Sequence, residues 1–336
     1  MRILILGPSC NYNLEYFAKI NLERLGCEVK FCGYATSLGR LASPVRLSIT
    51  RSNLIGEIAQ KTLLQEYNKE IERVSKEFRP EVILVIKGEA FNPAVMNRVR
   101  DNVDAKIVLW YTDDPRYYDT IIKRTLSCFD YVFTVSPRAV DTYRKAGAKN
   151  VQCLPVACDP DFHKRIDLND DDRRRYDCDI VFVGTYYPRR AKLVKALRSS
   201  GLKVGVYGPY WNYIWPRSGA RQAISGPDMV KVFNAAKIVL NVHADSDVGY
   251  KVNTRTYEAT GCKSFLLTDR TYGMSESFRI GKELECYSNE RELIELAEYF
   301  LGSEKERVEM AMKGQERAYR DHTYALRLTQ MLSAVR

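Results

Sequence analysis

Short apolar runs alternate along this chain with longer stretches in which apolar residues recur at helical spacing. Arg2–Gly7, RILILG, predicts a first strand ending in glycine. Leu14, Phe17, Ala18, Leu22 and Leu25 then fall on one helical face, and Gly26 follows. Glu28–Gly33 predicts a second strand, Glu57–Phe78 a long amphipathic helix, and Val82–Ile86, VILVI, a third strand. A helix over Asn92–Val99, strands over Ile107–Trp110 and Tyr131–Val135, a helix over Pro137–Ala146 and a strand over Val151–Pro155 complete the first half. Continuous apolar strands of this kind belong to parallel sheets covered on both faces.

The plan then repeats. Ile180–Gly184, IVFVG, is a strand ending in glycine, followed by a helix through Leu197, a strand over Val204–Gly208, a helix over Met229–Ala236 and a strand over Ile238–Val242. The stretch Asn253–Asp269, NTRTYEATGCKSFLLTD, predicts a polar loop, a helix closed by Gly261 at positive φ, and a buried strand over Ser264–Leu267. Helices over Glu290–Leu301, Glu304–Tyr319 and His322–Val335 end the chain. Between the halves, Cys158–Asp179 is acid-rich, with Asp170-Asp171-Asp172 ahead of Arg173-Arg174-Arg175, and is expected to be the linker. Two β/α halves predict an α/β protein of two Rossmann-like domains, each bringing the carboxyl ends of its strands to a cleft.

Composition narrows the picture. The 336 residues favour two domains, and 45% hydrophobic against 28% charged residues is ordinary for a globular protein. No run approaches the roughly 20 apolar residues of a membrane span, and the first residues read as a strand, not a signal peptide; a cytoplasmic protein is expected. Nine scattered cysteines without a C-x-x-C pair, and three distant histidines, point to neither a disulfide framework nor a metal site. The net charge of +10 suits an anionic partner, but dense basic runs of a nucleic-acid arm are missing, so no nucleic-acid partner is expected. Tyr34–Gly56 holds Arg40, Arg46 and Arg51 with no acid; it is read as a loop contacting an acceptor or the inner face of a membrane, or as a solvated loop.

Candidate chemistry gathers at strand ends. After Gly7 there is no G-x-G-x-x-G, which argues against a dinucleotide enzyme. In Asn253–Asp269 the helix N-terminus suits a phosphate, Arg255 can grip two of its oxygens, and Glu258 can accept from ribose hydroxyls. The same residues also fit an ordinary αβ unit with a surface Arg–Glu pair. Asp113 and Asp114 follow the strand at Trp110 and are either a carboxylate site or a helix cap.

In order, VFVGTYYPRRAKLVKAL, IVLNVH, NTRTYEATGCKSFLLTD and GQERAYRDHTYALRL resemble the glycosyltransferase-like family of spore maturation proteins, which groups with GT-B glycosyltransferases. WYTDDP and VFTVSPRAVDTYRKAGAKNVQCLPVACDPDFH agree in the first half. The resemblance implies the GT-B architecture: an acceptor domain over 1–158, a nucleotide-sugar donor domain over 176–318, and a final helix, 319–336, crossing back to the first. It implies transfer from a nucleotide-diphospho-sugar, UDP- or GDP-linked, to a glycan, lipid-linked or protein acceptor, with no separate cofactor and no metal. Arg190, with Arg189, matches the position that holds the diphosphate after the Gly184 strand end; Asn253 and Arg255 match the motif's polar pair, and Glu258 the ribose glutamate.

His243 is placed to meet phosphate or sugar, or is a structural histidine. Tyr207, Tyr210 and Trp211, around Gly208, either stack on the base or pack together with Tyr213 and Trp215. Many retaining members carry a second glutamate eight positions before Glu258; here that position is Tyr250, with Asp245 and Asp247 out of register. Retaining and inverting chemistry therefore both stay open, with Asp114 or Asp113 the base in the inverting case. A non-catalytic GT-B binding or assembly module and a sugar-nucleotide epimerase are the alternatives.

Overall fold

The computed structural model describes residues 1–34, 54–88, 90, 92–244, 249 and 251–335, the side chains of 54–63 excepted. Most of the basic 34–56 loop, with Arg40, Arg46 and Arg51, lies outside the described residues, as do Asp245, Asp247 and Tyr250. The chain divides into two compact units, Met1–Pro155 with Leu328–Arg336, and Val156–Arg327.

In the first unit β1 (Arg2–Gly7), β2 (Glu28–Gly33), β3 (Val82–Ile86), β4 (Lys106–Tyr111), β5 (Tyr131–Thr134) and β6 (Val151–Cys153) form a parallel sheet in the order β2-β1-β3-β4-β5-β6. All five side chains of β3 are buried, as a sheet covered on both faces requires. Among the helices of the described residues in this unit are α1 (Leu14–Arg24), α2 (Leu54–Phe78), α3 (Pro93–Asn102) and α4 (Ala139–Lys145). Leu4, Leu6, Ile83 and Val85 share one core with Tyr67 and Ile71 of α2 and Met96 and Val99 of α3. Asn13 starts α1 by accepting from the Tyr16 N–H (3.3 Å). Asn92 does the same for α3 from Ala94 (2.9 Å), with Pro93 pre-set in the first turn.

The second unit opens with α5 (Asp170–Arg175), a short helix within the stretch expected as a linker. Asn169 caps it, its three aspartates fill the first turn and its three arginines the last, so the charges complement the helix dipole. Cys158, Asp159 and His163, upstream, are fully buried. Its sheet runs β11-β10-β9-β7-β8, all parallel, from β7 (Ile180–Val183), β8 (Val204–Tyr207), β9 (Ile238–Asn241), β10 (Leu266–Asp269) and β11 (Glu285–Tyr287). Packed on it are α6 (Pro188–Ser199), α8 (Pro227–Ala235), α9 (Thr254–Gly261), α11 (Glu290–Gly302) and α12 (Glu304–Asp321). The short helices α7 (Trp211–Ile214) and α10 (Met274–Ser277) and the terminal α13 (Tyr324–Val335) complete the set used below. In each sheet the strand order reverses once, between β1 and β3 and between β7 and β9. Open α/β sheets bind ligands in the crevice beyond such reversals.

Gly261 does not end α9 at positive φ, as the sequence suggested; Lys263 takes the left-handed conformation instead, at φ 57°. Gly261 serves a close approach: a Cβ there would lie 3.1 Å from the Cβ atoms of both Cys158 and His163. The expected strand at Ser264 starts later, at Leu266, because Ser264 Oγ is turned to the Phe233 carbonyl (3.0 Å) at the end of α8. All nine cysteines are free, and six are buried.

α12 rests backbone-to-backbone on the approach to β11: a Cβ on Gly314 would stand 2.3 Å from the Glu283 carbonyl oxygen. Helix propensity alone would reward Gly314→Ala by about 1 kcal/mol. The contact overrides it, and the substitution is expected to cost about 1–3 kcal/mol through displacement of α12. Gly302, with nothing within 4 Å of its would-be Cβ, is the control. Urea denaturation should show Gly314→Ala lowering the midpoint and Gly302→Ala leaving it level; equal midpoints would contradict the packing.

Candidate functional site

The carboxyl ends of β7, β9 and β10 carry a connected polar group. β7 runs into Gly184, whose carbonyl accepts from Trp211 Nε1 (2.8 Å). Opposite it, Gly208 follows β8 at φ 157°, and a Cβ there would lie 1.9 Å from the Gly184 oxygen. No residue with a side chain fits at 208 without moving the strand ends apart.

α6 starts at Pro188, shortly after β7 ends at Val183, with the proline in its first turn. That places Arg189 and Arg190 at the reversal point. Arg190 donates through Nε to the Val242 carbonyl beyond β9 and through an Nη to the Thr185 carbonyl beyond β7, both at 3.0 Å. Its guanidinium is sandwiched between the rings of Tyr187 (4.8 Å) and Phe182 (5.5 Å). Arg189 donates to Asp269 Oδ2 (2.6 Å) and to the His243 carbonyl (3.1 Å).

Asp269 ends β10 and is 2% exposed. Its Oδ1 accepts from the His243 backbone N–H (3.0 Å) and from His243 Nδ1 (2.6 Å). His243 Nε2 in turn receives the backbone N–H of Asn253 (3.2 Å). An amide N–H can only donate, so Nε2 is bare, the proton sits on Nδ1, and the ring is neutral. Burial opposes ionisation of Asp269, but the bonds from His243 and the charge of Arg189 outweigh it and hold the carboxyl below its usual range.

Asn253 caps α9. Its Oδ1 accepts from the Thr256 N–H (3.3 Å) and from Asn241 Nδ2 (3.0 Å), and its Nδ2 returns a bond to Asn241 Oδ1 (3.0 Å). The buried Asn241 also reaches Thr256 and Thr268. One chain of bonds thus runs from Arg189 through Asp269 and His243 to the N-terminus of α9.

Arg255 belongs to a different cluster. Two positions beyond the cap, it turns away from Asn253 towards α8. There it meets Met229 Sδ, lies 5.4 Å over the Phe233 ring, and pairs with Glu258 Oε2 at 2.5 Å. Glu258 Oε1 stands 3.8 Å from Nε2 of the buried His163, whose pKa burial lowers. The aromatic loop divides as well. Tyr207 and Trp211 are packed inside, Tyr207 accepting from Arg221 (2.7 Å), whereas Tyr210 and Tyr213 are 58% and 79% exposed. Of the three rings considered for stacking, only Tyr210 is open to solvent.

In the first unit Asp114 is 1% exposed; the hydroxyls of Thr134 and Tyr143 (2.9 Å) donate to its two oxygens. It holds β5 and α4 in place and does not face solvent. Asp113 is half-buried and pairs with Lys87 Nζ at 3.1 Å, so it is the reachable carboxylate of the two. Among the described residues no group of three or more His, Cys, Asp or Glu could hold a metal ion, and no helix is long and apolar enough to cross a membrane.

Sequence reading missed Asp269 and Asn241 as site residues. The signals were present: an asparagine inside the apolar run IVLNV, and an aspartate closing a buried strand. Asp269→Asn is expected to lower unfolding free energy by about 2–3 kcal/mol, since it strips a charge from Arg189 and from His243. The folded pKa of Asp269 is depressed, so its contribution is complete above the ordinary carboxylate range and is lost as pH falls through it. The gap between wild type and Asp269→Asn in urea titrations should narrow below about pH 4; a gap that widens there would contradict the network.

Residues 189–333 match the family described as glycosyl transferase-like. Spore protein CgeB of Bacillus subtilis is 25% identical over 221 residues, covering 57% of this chain and 68% of CgeB. The crystal structure of Anabaena Alr3699/HepE in complex with UDP and glucose superposes at a TM-score of 0.69 with 13% identity, covering 100% of this chain and 99% of that one. Sucrose-phosphate synthase of Thermosynechococcus elongatus gives 0.69 with 12% identity over 99% and 98%. Residues 189–333 thus carry the glycosyl transferase-like match, and the two parallel sheets of the chain have the GT-B fold of these structures.

Proposed function

We propose that the protein is a glycosyltransferase that moves a sugar from a nucleotide-diphospho-sugar, UDP-linked in the first instance, to a hydroxyl acceptor received by the first unit. The observation that carries this reading is the convergence of Arg189, Arg190 and the N-terminus of α9 on the strand-order reversal of the second unit. Complexes of HepE with UDP and with UDP-glucose support the choice of nucleotide.

In the transfer, the acceptor oxygen bonds to the sugar carbon as the bond from that carbon to the diphosphate oxygen breaks, and the electron pair leaves with the diphosphate. Developing negative charge is met by fixed positive groups that need no reorganisation. Arg190 is held by two carbonyls and two rings at the strand-order reversal, and its guanidinium is the leading candidate. Arg189 is tied to Asp269 and acts mainly by holding His243 and, through it, Asn253. Arg255, engaged with Glu258, is suited to the nucleoside end, where Glu258 would meet ribose. The acceptor proton passes to Asp113 in an inverting course, or to the leaving phosphate in a retaining one.

UDP at ~100 times its dissociation constant should raise the stability of the protein by about 2.7 kcal/mol, read as a shift in Tm. GDP, ADP and CMP at the same concentration are expected to shift it less. Arg190→Ala should abolish the UDP shift and slow nucleotide release from UDP-glucose by about 10²–10³. A full-size UDP shift in Arg190→Ala would remove this site from consideration, and the absence of any shift with all four nucleotides would favour a binding module.

A further inference from the structure

The second unit also has an open cavity of about 520 Å³, away from the corner described above. β9 and β10 begin beside it and end at Asn241 and Asp269, so it lies at the other end of the sheet from the donor corner. Lys237 and Phe265, each one position before its strand, form one wall, and the first turns of α12 form another. Every lining residue belongs to the second unit.

Arg307, on α12, is the least exposed of the charged residues that line the cavity, at 7%. Its Nη1 donates to the carbonyls of Phe300 (2.5 Å) and Leu301 (3.4 Å) at the end of α11. Burial lowers its pKa, and the charges of Glu304 and Asp179 do not make up the difference. Lys263 lines the cavity from a left-handed backbone position, φ 57°, that glycine or asparagine occupies with less strain. Arg165 and Arg173, both exposed, each direct one donor to a carbonyl, that of Asn234 (3.2 Å) and that of Leu168 (3.1 Å). None of these four cations has an ion pair among the described residues. The fifth, Lys237, is paired with Asp179 (2.8 Å), and of the two lining acids Asp177 is paired with Lys203 (2.5 Å). Four unpaired cations thus face one acid, Glu304.

Cations often serve helix ends, and α8, α9 and α11 all finish near these residues. Each helix end carries roughly half a negative charge, and α12, which starts here, returns roughly half a positive one. Those dipoles balance about one charge and leave most of the surplus standing. A buried guanidinium without a carboxylate is costly unless an anion comes to it.

We propose that this cavity is a second ligand site, which takes a small phosphorylated organic molecule. Guanidinium groups grip phosphate oxygens in pairs, and a surplus of more than one charge suits a dianion better than a single carboxylate. The volume falls within the range of small-molecule sites and leaves room for more than a bare phosphate. Buried Leu168, Phe265 and Ala311 give the rest of the molecule an apolar wall.

The test uses the full chain as wild type, Arg190→Ala, Lys263→Gly and the double variant Lys263→Gly with Arg173→Gln. Inorganic phosphate and glucose 6-phosphate are the calorimetric probes, with glucose as the neutral control. Lys263→Gly removes the ammonium and puts glycine where the backbone is left-handed, so the fold is retained; unchanged far-ultraviolet circular dichroism checks this. Both probes should bind wild type and Arg190→Ala, glucose 6-phosphate the more tightly, and glucose should not bind. Lys263→Gly should weaken glucose 6-phosphate about tenfold, as loss of one charged donor predicts, and the double variant should weaken it further.

Absence of binding by both probes overturns the proposal, as does equal affinity in wild type and the double variant. Binding that is lost in Arg190→Ala and kept in the double variant places the anion at the donor corner and overturns it too. Phosphatidylglycerol vesicles distinguish a lipid headgroup from a soluble phosphate. Sedimentation with them that depends on Lys263 and Arg173, without binding of glucose 6-phosphate, assigns these charges to a lipid surface and overturns the soluble ligand.

Discussion

The Asp269 carboxylate is the bond on which the second unit's binding face depends. It sits at the end of a buried strand and receives three donors from two other elements: the backbone and ring of His243 after β9, and Arg189 at the head of α6. A charge this deep is tolerated only because each oxygen is saturated and a guanidinium stands beside it. In return it fixes the tautomer of His243, and through His243 Nε2 it fixes the direction of the Asn253 amide. Three chain segments far apart in sequence are thus locked to one geometry by a single side chain.

That arrangement separates holding from contacting. Arg189 is bonded to Asp269 and keeps the network together, whereas Arg190 is braced by carbonyls on both sides of the reversal. In the proposed transfer, a guanidinium stiffened by backbone carbonyls would meet the diphosphate with its geometry already set. In the first unit the division is similar. Asp114 is committed to Thr134 and Tyr143, and Asp113, its neighbour in sequence, is the one that faces Lys87 and solvent.

Much of this could be read in the amino-acid sequence, because it is local. Continuous apolar runs identified the strands, Asn13 and Asn253 stand where helix caps belong, and two arginines just past a strand end marked the corner at the strand-order reversal. What could not be read depends on partners distant along the chain. Nothing near Asp269 names Arg189, and Glu15 reads as an ordinary first-turn acid until Gly7 is brought against it. The direction of Arg255 was equally hidden, since the sequence places it beside Asn253 and the helix turn sends it to Phe233. The acid-then-basic segment before β7 read as linker because mixed charge suggests solvent, yet the order of its charges is that of a capped helix.

The pinch between Gly184 and Gly208 divides the second unit's binding corner into a part that evolution cannot edit and a part that it can. At 208 even a methyl group would collide with a backbone oxygen, so the base of the corner is closed to variation. A few residues on, Tyr210, which caps the short helix α7, and Tyr213, within it, are both largely exposed. A chain that keeps Gly208 can therefore change what this corner presents to solvent by exchanging the rim alone.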